Sequence, residues 1–235
     1  MKISLLAPTR GRSDQIERFW YSALDLAKFP DDLEASFYID EDDIDSIYAV
    51  DGLRGNVRYK IGSRMPTLSH AWNEAWKNST GEIYMMAADD LIFRSLGWDV
   101  VIREEFEKQE DRILLVYGSD GYVKHDGGLA THPFIHRNWT DVIGYFAPPY
   151  FWHSKNDSWL TIIAKKLERL NFIPYLLFEH MHPGFRKGLW DRTYEEAKKF
   201  GVASDFKKIW KDTTEERIEN IVKLKDFINN YDKKS

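Results

Sequence analysis

Strands that end on charge constrain this chain more than any other feature. The run Glu82-Ile83-Tyr84-Met85-Met86-Ala87-Ala88-Asp89-Asp90 is apolar enough for a buried strand, yet it stops on two adjacent aspartates. Ile3 to Ala7 closes on Pro8-Thr9-Arg10-Gly11-Arg12, and Ala35 to Ile39 closes on Asp40-Glu41-Asp42-Asp43. A charge at the mouth of a buried strand must be solvated, capped or bound, because leaving it unpaired in an apolar interior is costly. Three such ends in one chain point to a shared polar edge.

Helical periodicity fills the gaps between these strands. Ile16, Phe19, Trp20, Ala23, Leu24 and Ala27 share one helical face, with Ser13 placed to cap its start and Pro30 beyond its end. Asn56 to Ile61 reads as a third strand. Thr67 predicts the cap of a helix carrying Leu68, Ala71, Trp72, Ala75 and Trp76 on one side, which Gly81 then breaks. This alternation predicts a mostly parallel sheet flanked by helices, with a ligand site beyond the carboxyl ends of its strands. Farther along, the pattern predicts a helix over Trp98 to Lys108, a fifth strand over Ile113 to Tyr117, a helix around Leu160 to Leu167 and a strand over Phe172 to Phe178. The tail from Trp190 is helical, with Thr213 and Glu216 at capping-box spacing. Between them, Gly118 to His153 is rich in Gly, Pro, His and aromatics and reads as short strands and loops.

Composition narrows the function classes. A chain of 235 residues, 43% hydrophobic and 15% aromatic, builds one well-packed α/β domain rather than a disordered segment. A net charge of -5 argues against a non-specific grip on a nucleic-acid backbone. The absence of cysteine excludes thiolate catalysis, disulfides and cysteine-ligated metals. No run of about eighteen uncharged apolar residues is long enough to span a bilayer, and MKISLLAPTR lacks the form of a signal peptide, so a cytoplasmic protein is expected.

Each polar cluster has a plain reading and a chemical one. An Asp-Asp pair such as Asp89-Asp90 commonly caps a turn, but carboxylates at a strand mouth also suit Mg²⁺ or Mn²⁺, hard cations that keep substrate phosphates in their shell. Arg10 and Arg12 flank a glycine beside a helix N-terminus, a place that favours anions. The acidic run from Asp40 faces water, caps a short helix through Ile44 and Ile47 by Asp42 or Asp43, or accepts hydrogen bonds from a nucleobase or ribose. His180 and His182 fall on one side of an extended chain, so one imidazole can complete a metal site begun by Asp90. Asp157, at the start of a helix, is a cap or a general base.

Five stations in order, Ala7-Pro8-Thr9-Arg10-Gly11-Arg12, Tyr38-Ile39-Asp40-Glu41-Asp42-Asp43, Thr80-Gly81-Glu82-Ile83 leading to Ala88-Asp89-Asp90, Asn156-Asp157 and His180-Met181-His182-Pro183, resemble a family 2-type glycosyltransferase of the GT-A fold. The resemblance covers approximately Lys2 to Pro183. Ala88 to Phe93 followed by Gly97-Trp98-Asp99 is similar to small transferases of bacteria and bacteriophages. The resemblance implies a mixed, mostly parallel, Rossmann-like sheet over residues 1–189, with a nucleotide-binding half (1–117), an acceptor and metal half (118–189) and a helical C-terminal extension (190–235).

It also implies a nucleoside-diphosphate sugar donor, Mn²⁺ or Mg²⁺, and a hydroxyl acceptor on a glycan, lipid, protein or modified DNA base. On that reading Pro8, Thr9, Arg10 and Arg12 line the nucleotide site, with Asp89 beside them; Asp40 or Asp42 meets the base, and Arg64 approaches the diphosphate. Asp90 with His182, or alternatively His180, holds the metal, and Asp157 is the base of an inverting transfer. Ala88 stands where the family usually has the first acid of its metal motif, a role Asp89 would have to take. Two other readings stay open: a nucleotidyltransferase of related fold, which should carry more glycine than the single Gly11 between Pro8 and Ser13, and a non-catalytic nucleotide- or carbohydrate-binding module, to which Ala88 points.

Overall fold

The computed structural model describes residues 1–203 and 205–233. In chain order, β1 (Ile3–Thr9) leads into α1 (Ser13–Asp25), β2 (Leu33–Asp40), α2 (Ile44–Asp51), β3 (Val57–Gly62), α3 (Leu68–Asn78) and β4 (Ile83–Met86). There follow β5 (Leu91–Phe93), α4 (Trp98–Glu107), β6 (Leu115–Ser119), β7 (Phe134–His136), α5 (Arg137–Ile143), α6 (Asn156–Lys166) and β8 (Leu170–His180). Three helices end the chain: α7 (Arg192–Ala203), α8 (Phe206–Asp212) and α9 (Thr214–Asp232). No helix among the described residues is long and apolar enough to cross a membrane.

The strands form one mixed sheet in the order β3-β2-β1-β4-β7-β6-β8-β5. β1 pairs in parallel with β2 and β4, and β2 with β3. β7 is antiparallel to both β4 and β6, so β6 runs with β4, and β8 runs parallel to β6. β1, β2, β4, β6 and β8 therefore deliver their carboxyl ends to one edge. β2 is buried along its whole length and β1 nearly so, as expected of strands covered on both faces.

Alternation along β1 splits the core in two. Leu5 and Ala7 face a layer completed by Ile16, Phe19, Trp20 and Ala23 of α1 and by Trp98, Ile102 and Phe106 of α4. Leu6 faces the opposite layer, with Ala71, Trp72 and Ala75 of α3, Trp139 of α5, Trp159 and Leu160 of α6, and Leu224 of α9. At Gly118, where the pairing of β6 with β8 shifts register, an added Cβ would lie 2.5 Å from the Leu176 carbonyl oxygen, so only glycine lets these strands meet.

Several local expectations change. Ser13 does not cap α1; Arg12 occupies the N-cap position without a capping side-chain bond. Thr67 does cap α3, accepting from the His70 amide, and Asp43 caps α2, accepting from the Ser46 amide. Thr213 and Glu216 form no capping box: Thr213 lies directly between α8 and α9, so its hydroxyl donates back to the Ile209 carbonyl at 2.7 Å, and Glu216 accepts from the Tyr150 hydroxyl. The strand expected from Ile113 begins at Leu115 and is the sixth, because Leu91–Phe93 pairs antiparallel with β8 as a strand of its own. The segment from Gly118 to His153 contains a helix, α5, that composition did not reveal.

Candidate functional site

Thr9, Asp40, Asp89, Asp90 and His180 lie at or just past the ends of strands sharing one polarity, and they open on a cavity of about 640 Å³. Pro8, Arg10, Arg12, Asp42, Arg64, Asp157 and His182 line the same cavity, so the structure brings together every site residue named from the sequence. Tyr38, Met65, Leu68 and Trp72 supply an apolar wall. The turn after β1 needs Gly11, whose φ of +65° is left-handed, and its amide donates to Asp43 Oδ2 at 2.7 Å. That contact ties the first polar turn to the second.

Arg12 sits at the centre, its side chain 7% exposed. Its Nη1 lies 2.9 Å from Asp89 Oδ1 and 3.4 Å from Asp90 Oδ2, and its Nε donates to Asp191 Oδ2 at 2.8 Å. Three carboxylates therefore surround one guanidinium, a group with net negative charge. Asp89 is fully engaged, since Thr9 Oγ1 donates to its second oxygen at 2.8 Å. Burial pushes the Asp89 carboxyl up despite Arg12, and the neighbouring Asp90 adds to the rise. Burial also opposes charge on Asp90, but His180, Arg12 and Tyr194 together outweigh it and hold Asp90 ionised. Asp90 Oδ1 is buried and has no hydrogen-bond partner.

The histidines divide by the partner each ring nitrogen finds. His182 Nδ1 accepts from the Gly184 amide at 2.9 Å, so in the neutral ring the hydrogen is on Nε2. Burial lowers its pKa to about 4, which keeps that ring neutral. His180 places Nε2 3.4 Å from Asp90 Oδ2 and leaves Nδ1 buried without a partner. His132 places Nδ1 3.1 Å from the Met86 carbonyl oxygen and likewise leaves Nε2 unpartnered. The His132 and His180 rings stand 4.8 Å apart. Among the described residues no three His, Asp or Glu side chains gather into a metal centre. What the site offers a hard cation is one free carboxylate oxygen with imidazoles beside it, which fits a metal whose remaining ligands arrive on a phosphate.

Farther out, Arg10 bridges Asp40, at 2.9 Å, and Asp42. Its hydrogen bond lowers Asp42 to about 2, whereas burial raises Asp40. Arg64 pairs with Glu196 at 2.6 Å and lies 5.9 Å from the Trp152 ring. Asp157, in the first turn of α6, accepts from the Ser158 amide at 2.6 Å through Oδ1, and burial raises its pKa. A carboxylate with a raised pKa at a cavity wall is suited to take up a proton.

Sequence reasoning missed His132, Tyr194 and Glu196, all of which line the cavity. His132 stands alone in a loop-like stretch, and Tyr194 and Glu196 belong to the helical extension, which carries no strand-end signal. Conversely, the Gly97-Trp98-Asp99 motif is structural. Trp98 packs against Phe93 and Phe178, and Asp99 accepts from the Lys28 and Phe29 amides at 2.7 and 3.0 Å.

No family model and no curated protein matches the sequence. Solved structures do match. A 1–349 segment of S. aureus TarS in complex with UDP superposes with a TM-score of 0.60 at 16% identity, over 76% of this chain and 60% of that one. The same segment with UDP-GlcNAc gives 0.58 at 15%, over 77% and 59%. The mannosyltransferase PcManGT of Pyrobaculum calidifontis, in complex with GDP-Man and Mn²⁺, gives 0.60 at 14%, over 76% and 56%. The architecture is thus a GT-A, Rossmann-like fold. This chain spans under two thirds of those neighbours' length.

Proposed function

We propose that the protein is a glycosyltransferase that moves a sugar from a nucleoside-diphosphate sugar to an acceptor hydroxyl with inversion at the anomeric carbon. One observation carries the reading: the polar ends of co-oriented strands meet in a single cavity that combines arginines, an unpartnered Asp90 oxygen and a half-buried Asp157 of raised pKa. The likeness to neighbours that bind UDP, UDP-GlcNAc and GDP-Man supports this choice among the chemistries such a cavity permits.

In this reading Tyr38, Leu68 and Trp72 flank the nucleobase, with Asp40 or Asp42 accepting its hydrogen bonds. Thr9, Arg10 and Arg12 border the nucleotide, and Asp89, held by Thr9 and Arg12, keeps that border in place. Arg64, released from Glu196, meets the diphosphate. Asp90, through Oδ1, and the His180 imidazole would hold Mn²⁺ or Mg²⁺; His182, whose Nδ1 already accepts from the Gly184 amide, would ligate only by giving up that bond. When bound, that cation supplies Lewis-acid neutralisation of charge on the leaving diphosphate. Asp157 takes the acceptor hydroxyl's proton as the acceptor oxygen bonds to the anomeric carbon. The bond from that carbon to the diphosphate oxygen breaks on the opposite face, and the electron pair leaves with the diphosphate.

The test is a melting-temperature panel of nucleoside diphosphates and nucleotide sugars with Mn²⁺ and with EDTA, followed by donor turnover in the presence of candidate acceptors. Stabilisation by one nucleotide that requires Mn²⁺, with turnover, is the expected result. Binding without turnover of any donor, even to water, would instead fit the non-catalytic module. No stabilisation by any nucleotide would refute the donor site.

A further inference from the structure

Asp90 and Asp99 are both buried, but their carboxylates are used differently. Asp99 accepts through both oxygens, from the Lys28 amide on Oδ1 and from the Phe29 amide and Arg103 on Oδ2. Asp90 takes every contact on Oδ2: the Tyr194 hydroxyl donates to it, and Arg12 Nη1 and His180 Nε2 each lie 3.4 Å away. Oδ1 takes none. A carboxylate that only braces a fold has no reason to crowd its donors onto one oxygen while the other sits desolvated. The asymmetry fixes the carboxylate's orientation and keeps one oxygen in reserve.

Tyr194 has the contacts of an orienting group. It is 7% exposed, and its ring lies 4.4 Å from the Arg12 guanidinium and 4.7 Å from the His182 ring. One side chain thus touches Asp90, Arg12 and His182. Its own position is fixed from the same cavity rim. Its amide donates to Asp191 Oδ1 at 2.9 Å, while Asp191 also pairs with Arg12 Nε at 2.8 Å. Thr193 Oγ1 donates to the Arg10 carbonyl at 2.9 Å, and Glu196 pairs with Arg64 at 2.6 Å.

We infer that Tyr194 is a positioning residue of the donor site: its hydroxyl holds Asp90 Oδ2 so that Oδ1 stays free for a divalent cation arriving with a nucleoside diphosphate. The start of α7 is then the wall that completes the site. This rests on the glycosyltransferase reading above. The physical basis is general: groups that hydrogen-bond a metal ligand fix its orientation, and losing one typically weakens metal affinity 10–100-fold.

Calorimetric titration of UDP and of GDP into the full chain and into Tyr194→Phe, each with Mn²⁺ and with EDTA, tests the inference. Phenylalanine keeps the ring against Arg12 and removes only the hydroxyl. Affinity with Mn²⁺ should fall on the order of tenfold, and affinity in EDTA should be unchanged. Tyr194→Leu, which also removes the ring, should lose affinity under both conditions. No loss in Tyr194→Phe, an equal loss with and without Mn²⁺, or tighter binding would each overturn the inference and leave the donor site standing. If the unsubstituted chain bound neither of these nor any other nucleoside diphosphate of the panel above, the donor-site reading itself would fall, and the inference with it.

Discussion

Replacing Asp90 and Asp99 by alanine should separate a carboxylate kept for binding from one kept for folding. Asp99 is fully buried, and its removal frees the Lys28 and Phe29 amides and takes the nearest anion from Arg103. Those two amides belong to exposed residues and can turn to water, so the main cost is the broken buried pair with Arg103, and Asp99→Ala should lose about 3–5 kcal/mol. For a chain of this size that lowers the melting temperature on the order of 10 °C. Asp90 is 3% exposed, yet the balance there differs. Removing it leaves Arg12 with Asp89 and Asp191, relieves the like charge next to Asp89, and eliminates the unpartnered Oδ1. These gains offset the loss of the Tyr194 and His180 contacts, and Asp90→Ala should stay within about 1 kcal/mol of the parent. Urea melts followed by tryptophan fluorescence give both values. The same melts with nucleoside diphosphate and Mn²⁺ at about 100 times Kd should add about 2.7 kcal/mol to the parent and far less to Asp90→Ala. If Asp90→Ala fell as far as Asp99→Ala, the Asp90 cluster would be structural and the case for a reserved oxygen would be wrong.

Two further outcomes follow from raised and lowered carboxylates. Burial raises Asp157, so transfer should decline as pH falls through a value above the ordinary carboxylate range; Asp157→Asn should abolish transfer at all pH values while leaving nucleotide-induced stabilisation intact, and a rate within a few-fold of the parent would assign the proton to another group. Glu34 has a fully buried side chain; burial opposes its charge, but hydrogen bonds from Thr80, Lys2 and Ser4 prevail and lower its pKa. A lowered acid contributes stability above its unfolded pKa and loses it as pH falls through the folded value, so Glu34→Gln should cost about 2 kcal/mol at about pH 7 and flatten the acid limb in urea melts taken from about pH 7 to about pH 3.

What the sequence disclosed, and what it hid, follows from the range over which each constraint acts. The strands around Leu5, Phe37 and Met85 and the faces of α1 and α3 were legible because burial on a fixed period writes itself into consecutive residues. The site was legible where it depends on strand ends, since an apolar run that stops on charge must deliver that charge to solvent, a cap or a ligand. Chain reversals were less so: Leu91–Phe93 looks like the continuation of one apolar run, yet it pairs with β8 at the far end of the sheet from β3. Long in range, and invisible, was the bond from Tyr194 to Asp90, which spans 104 positions. No period or spacing marks it, and α7 by itself looks like an amphipathic appendage. The tail meets the site only because β8 carries the chain back to the same edge as β1 and β4, setting the start of α7 over Arg12. Whatever ligand the cavity takes, its access to Arg12, Arg64 and Asp90 is bounded by residues that local reasoning would assign to a different part of the protein.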